Sequence, residues 1–287
     1  MESRFGRKPE VIHFDVVYYR PESVAEAVAA FEEARERGLD PLYLAGGTEI
    51  TTFSRQGKIR PGALIDLKKI PECNLLDTRG EELVLGAALP LNRVIEAGVF
   101  PLLSQTAACI ADYTTRNRLS LGGNIAGRLP YREAVLPFLA CDARFVFAGP
   151  NGTRTVDCEE AFAEHLRAQA GEFLLQILVE NRYLTSPFFH RRRERGGRID
   201  YPLVTLVLLR TGREIRCAVS GLCSAPRRIG EIEALLSDRT RPAGERAAAA
   251  IDAFPVAIRS DFRASADYRR HLFGLALDEG LHALEEW

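Results

Sequence analysis

The sequence predicts a mixed α+β protein of about two domains, and three observations carry that expectation. Its 287 residues amount to roughly two domains of ordinary size. In the first half apolar strands alternate with amphipathic helices, whereas in the second a run of strands gives way to helices. The composition, 46% apolar and 27% charged, is that of an ordinary globular chain and excludes disorder or a collagen-like repeat.

The first element is a helix over Ser23–Arg37. Val24, Ala27, Val28, Phe31 and Ala34 recur at helical spacing, Ser23 with Glu26 forms a capping box, and Gly38 is the stop. Asp40-Pro41 breaks the chain before a strand over Leu42–Ala45, and strands follow at Ala63–Leu67 and Glu82–Leu89. Helices are expected over Pro101–Tyr113 and Glu133–Cys141, the latter irregular at Pro137. Arg144–Ala148 and Thr153–Val156 flank Gly149-Pro150-Asn151-Gly152, a hairpin signal, and Phe173–Val179 closes the half as a strand.

Beyond this the character changes. A charged, glycine-broken stretch from Arg191 to Arg198 precedes a hairpin of Tyr201–Arg210 and Glu214–Ser220 about Thr211-Gly212-Arg213. Helices are expected near Arg228–Leu236, Ala243–Ala253 and Ser265–Glu285. The domain change falls near residues 170–185, giving domains 1–175 and 180–287.

Composition removes several function classes. Thirty-eight Lys and Arg against 39 Asp and Glu leave a net charge of −1, without the basic excess of a nucleic-acid binder. No apolar run approaches the roughly 20 residues of a membrane helix. Met1–Glu10 lacks the apolar core of a secretory signal, so a cytoplasmic location is expected. The six cysteines (73, 109, 141, 158, 217, 223) form no Cys-x-x-Cys pair and read as buried free thiols rather than metal ligands. No Gly-x-Gly-x-x-Gly, P-loop, His-x-x-x-His or Gly-x-Ser-x-Gly motif occurs.

Two glycine pairs remain. Ala45-Gly46-Gly47-Thr48-Glu49 follows an apolar strand, and Ser120-Leu121-Gly122-Gly123-Asn124 follows a basic turn containing Arg116 and Arg118. Adjacent glycines let a backbone turn tightly and aim successive N–H groups at an anion. One such loop is more often a plain turn. Two, each beside hydroxyl or amide side chains, point to a phosphate-bearing cofactor.

With Pro61, Ile65-Asp66-Leu67 and Ile70-Pro71-Glu72, the first loop resembles the first cofactor segment of the FAD-binding subunit of molybdenum hydroxylases, a family that includes the flavoprotein subunits of xanthine dehydrogenase and carbon monoxide dehydrogenase. Arg116-Asn117 with the second loop and Pro130 resembles the second segment, and Arg263–Arg269 resembles the start of the family's carboxy-terminal helix. The resemblance runs in order along nearly the whole chain. It implies a vanillyl-alcohol-oxidase (PCMH-type) FAD-binding fold of two α/β subdomains plus a carboxy-terminal α+β domain. It also implies that Ala45, Gly46, Gly47, Thr48, Glu49 and Ile50 line the FAD pyrophosphate, with Ser120, Gly122, Gly123 and Asn124 on its other side. Glu133 stands where the family has an Asp reaching the nucleotide half of FAD. A Lys or Arg near the flavin ring in some members falls at Arg191 or Arg192.

No residue is nominated as a general acid or base. The resemblance implies a large partner subunit with a molybdenum cofactor and a small one with [2Fe-2S] clusters, assembled as a dimer of heterotrimers. FAD on this chain would take electrons from the clusters and pass them to an acceptor such as NAD. Arg191–Arg198 is the preferred partner contact, with a solvated loop as the alternative. The rival reading from another class is a scaffold subunit of the same fold that no longer binds flavin.

Overall fold

The computed structural model describes residues 14–196 and 199–286. Met1–Glu10, Gly197 and Arg198, on which some of the sequence expectations fall, lie outside the described residues.

The first unit is a small parallel sheet, β1 (Val17–Tyr19), β2 (Pro41–Leu44) and β3 (Ala63–Asp66), in the order β1-β3-β2. Pro41 opens an edge strand, where its missing N–H costs little. Helix α1 (Val24–Glu36) buries Ala27, Ala30 and Ala34. Its cap is the expected one with a variation: Glu26 N donates to Ser23 Oγ at 3.2 Å, while the Glu26 carboxylate takes Glu22 N rather than the cap's own amide. Gly38 ends the helix at φ +71°. After β2 the chain turns through Gly46-Gly47 into α2 (Thr48–Arg55), a helix that the sequence reading did not include. Its Thr-Glu-Ile-Thr-Thr start has little helix propensity, so its presence depends on the turn and on packing.

The second unit is an antiparallel five-stranded sheet in the order β4-β5-β8-β6-β7. Strands β4 (Leu76–Arg79) and β5 (Glu82–Gly86) lead into α3 (Leu91–Ala97) and α4 (Pro101–Ala108), the latter shorter than expected. Two short helices follow, α5 (Tyr113–Arg116), capped by Asp112 on Thr115 N at 2.7 Å, and α6 (Leu121–Ala126), capped by Ser120 on Gly123 N at 3.2 Å. A 3₁₀ turn at Glu133–Val135 runs into α7 (Leu136–Ala140), the irregular start expected at Pro137. Strands β6 (Arg144–Gly149) and β7 (Gly152–Asp157) form the expected hairpin about Pro150-Asn151. Helix α8 (Cys158–Ala161) and strand β8 (Phe173–Glu180) complete the sheet.

The last unit is a four-stranded antiparallel sheet in the order β12-β11-β10-β9, from β9 (Phe188–Glu194), β10 (Pro202–Thr211), β11 (Glu214–Ser220) and β12 (Arg227–Arg228). Helices α9 (Gly230–Ser237), α10 (Ala243–Asp252) and α11 (Ala266–Glu285) cover one face. The other face presses into the second unit: Val207, Leu209 and Ala218 share one apolar core with Phe138, Phe145 and Ile177. The chain therefore changes sheet between Glu180 and Phe188, and one continuous core crosses that change.

Strand β9 corrects the reading of the start of the arginine run, from Arg191 to Glu194, as a charged loop. Its alternation sends Arg191 and Arg193 to Glu279 on α11, at 2.8 and 2.6 Å, and Arg192 inward to Glu133. The charges are spent on partners within the chain. Arg195, past the strand, donates to Phe262 O at 3.3 Å.

Candidate functional site

The carboxyl end of β2 delivers Ala45, Gly46 and Gly47 into the start of α2, and the turn before α6 brings Ser120 and Gly123 alongside. Between them lies a cavity of about 280 Å³. The loops touch at Gly46. A β-carbon there would stand 2.0 Å from the Arg118 carbonyl oxygen, and Gly46 N donates to Ser120 Oγ at 3.4 Å. Gly47, at φ +69°, is the residue before α2 and occupies the left-handed region that glycine enters without penalty. Its turn is held from below: Lys68 Nζ donates to Ala45 O at 3.1 Å and pairs with buried Asp66 at 2.8 Å, and Tyr18 donates its hydroxyl to the same carboxylate. Burial pushes the Asp66 carboxyl up, but Lys68 and the Tyr18 hydroxyl hold it below its usual range.

The amides separate the two loops chemically. In the second loop they are used within the protein: Leu121 N donates to Leu89 O, Gly122 N to Ala87 O, and Gly123 N to Ser120 Oγ. In the first loop, Gly47, Thr48, Glu49 and Ile50 N–H have no protein acceptor among the described residues. First-turn amides of a helix, aligned and carrying partial positive charge, suit a phosphate or other anion. A cradle in which glycine permits close backbone approach and free amides converge fits a diphosphate-bearing cofactor.

Ala45, Gly46, Gly47, Thr48, Glu49, Ile50, Ser120 and Gly123 all line the cavity. Three nominated residues do not. Gly122 is buried where a β-carbon would meet that of Ala87 at 2.6 Å, so its glycine serves packing. Asn124 turns its Oδ1 to Ala134 N at 3.1 Å. Glu133 is only 4% exposed and points inside, accepting from Arg192 Nε at 2.9 Å and Thr205 Oγ1 at 2.6 Å. Burial pushes its carboxyl above the usual range against the pull of Arg192 and Thr205. Glu133 thus forms a strut between the second loop's tail and the carboxy-terminal sheet, apart from the cavity lining. Arg191 and Arg192, the candidates for the flavin ring, are likewise turned into ion pairs within the chain. Arg116 is occupied too, donating through one nitrogen to the carbonyls of Ala108, Ile110 and Ala111.

Glu49 has a defined task. Its carboxylate accepts from Arg128 N at 2.8 Å and Leu129 N at 3.2 Å, tying α2 to the turn beyond α6. Glu49→Ala is expected to speed hydrogen exchange at both amides by roughly 10- to 100-fold, the worth of a charge-assisted bond. Unchanged exchange at both would remove the brace from the account.

Sequence reasoning missed Phe53, Ile59, Leu119 and Arg128, which also line the cavity. Ile50 and Phe53, three apart, were the available signal, legible once α2 is known to be a helix. Outside the cavity lining, Tyr131 and Tyr201 stack at 4.6 Å, with Arg259 over the Tyr131 ring and Arg263 over the Tyr201 ring. A wider cleft of about 600 Å³ lies near the β10–β11 turn, past the end of β8 away from the glycine loops. No helix among the described residues is long and apolar enough to cross a membrane.

The free amides, glycine crossing and adjoining apolar wall define a dinucleotide-type cofactor domain, and residues 12–179 match the FAD binding domain in molybdopterin dehydrogenase. The chain belongs to that family, as an FAD-binding medium subunit of the molybdenum hydroxylases, and is thus a subunit of an oxidoreductase. Among its relatives, the carbon monoxide dehydrogenase medium chain of Hydrogenophaga pseudoflava is 29% identical, covering 93% of this chain and 96% of its own. The caffeine dehydrogenase subunit beta of Pseudomonas sp. (strain CBB1) is 27% identical over 72% of each. Among solved structures, the carbon monoxide dehydrogenase from Hydrogenophaga pseudoflava that lacks the Mo-pyranopterin moiety of the molybdenum cofactor superposes with a TM-score of 0.84 at 27% identity, covering 95% of this chain and 98% of that one.

Proposed function

We propose that the chain is the electron-transfer subunit of a cytoplasmic, xanthine dehydrogenase-like molybdenum hydroxylase. It would take electrons from [2Fe-2S] centres on a small subunit, after oxidation of substrate at a molybdenum cofactor on a large one. It would pass them to an acceptor such as NAD, within a dimer of heterotrimers. The observation that carries the reading is the set of unpartnered amides at Gly47–Ile50 facing the cavity beside Ser120.

Bound FAD supplies one- and two-electron redox chemistry. The residues of this chain bind and orient it. The first-turn amides and the α2 dipole receive the diphosphate, the Ser120 hydroxyl offers a further hydrogen bond, and Leu42, Phe53 and Ile59 give an apolar wall that excludes water. Glu49 holds the turn that closes the cavity.

The purified chain is expected to be yellow, with one FAD per chain held noncovalently, because neither glycine loop contains a histidine or cysteine to which flavin could bond. Acid precipitation should leave all flavin in the supernatant. Colour in the pellet would mean a covalent link. A chain that stays colourless with added FAD would instead favour the flavin-free scaffold.

A further inference from the structure

We propose that Arg128 is the cation that neutralises the cofactor's diphosphate and thereby selects a phosphate-bearing flavin; this rests on the FAD reading above. Among the described residues lining the cavity there is one carboxylate, Glu49, and one cationic side chain, Arg128. The carboxylate is fixed in the first turn of α2 by its bonds to Arg128 N and Leu129 N. A diphosphate placed on the free amides of that turn therefore arrives beside a like charge that cannot swing away.

The eight-residue helix offsets only part of this, because its dipole amounts to about half a charge at the amino terminus. A full positive charge is needed close by. Lys68 is committed to Asp66 and the Ala45 carbonyl, and Arg116 to the carbonyls of Ala108, Ile110 and Ala111 at and beyond the end of α4. The Arg128 guanidinium makes no ion pair or hydrogen bond among the described residues, and its side chain is exposed at the cavity. The Glu49 carboxylate that creates the electrostatic problem also anchors the backbone of Arg128, so both charges enter the site as one unit. A planar guanidinium fork matches phosphate oxygens in two parallel bonds, which an ammonium cannot do.

The test is titration of the full-length apoprotein with FAD at low and high salt, for the wild type, Arg128→Gln and Arg128→Lys, beside their apoprotein melting curves. Arg128→Gln is expected to weaken FAD by about 10- to 100-fold at low salt, as for loss of a charge-assisted bond, and to flatten the salt dependence. Arg128→Lys should restore the salt dependence and only part of the affinity, and neither change should move the melting temperature. An unchanged affinity and salt slope in Arg128→Gln overturns the proposal. So does a loss of affinity with wild-type salt dependence or with a lowered melting temperature, since either marks a structural role. Failure of the wild type itself to bind FAD at any salt is a separate result, which overturns the FAD reading and this inference with it.

Discussion

Gly46→Ala is expected to yield a folded chain that has lost FAD. The added β-carbon would lie 2.0 Å from the Arg118 carbonyl oxygen and 3.1 Å from Ser120 N. Both are backbone atoms of the second loop and cannot rotate aside. The loops must separate, carrying the amides of Gly47–Ile50 away from Ser120. Losing two charge-assisted bonds, at about 1.5–3 kcal/mol each, weakens FAD by roughly 100-fold or more. The local overpacking itself costs only about 1–3 kcal/mol, which a domain of this size can absorb. Gly47→Val makes a useful contrast. There the new atom meets the flexible end of Leu44 at 2.7 Å, and the main penalty is φ +69°, unfavourable for a β-branched residue. Flavin-to-protein ratio beside a circular dichroism spectrum reads both variants. Stoichiometric FAD in folded Gly46→Ala would mean that the contact of these two loops does not form the cradle.

Arg192→Met should destabilise the chain by about 3–5 kcal/mol, the usual cost of leaving one member of a buried ion pair alone. Only 10% of the Arg192 side chain and 5% of the Glu133 side chain are exposed. Arg192 also donates to the Asp200 carbonyl and pairs with Glu194, so its loss orphans several acceptors at once. Because burial already pushes the Glu133 carboxyl upward, part of the loss is relieved by proton uptake. The double variant Glu133→Leu with Arg192→Met should recover much of the stability, since the two sites then bury apolar groups of similar volume. Urea unfolding measures the pair. A single variant as stable as wild type would show the strut to be idle.

The pair also explains where sequence reasoning stopped. Glu133 was legible as a carboxylate following the second glycine loop, but its direction was not. That is set by Thr205 on β10 and Arg192 on β9, partners 72 and 59 residues away. The arginine run looks solvated because Glu279, which answers Arg191 and Arg193, lies on the last helix. Three arginines can stand in a strand only because both faces of it find acids.

What the sequence determined by itself was local. Ser23 and Glu26 start α1, Pro150-Asn151 turns β6 into β7, and Gly212 at φ +64° turns β10 into β11, each by chemistry acting over a few residues. The two glycine pairs belong here as well, since adjacent residues without β-carbons announce close backbone approach. What only the tertiary structure decided was which loop has amides to spare and which side chains face the cavity. The amides of the second loop are taken by Ala87 and Leu89, and Gly122 is pressed onto Ala87, through contacts that no spacing within the loop encodes. Hydrogen-bond capacity is a property of groups that meet in space, so a sequence can show where donors stand but not which remain unpaired.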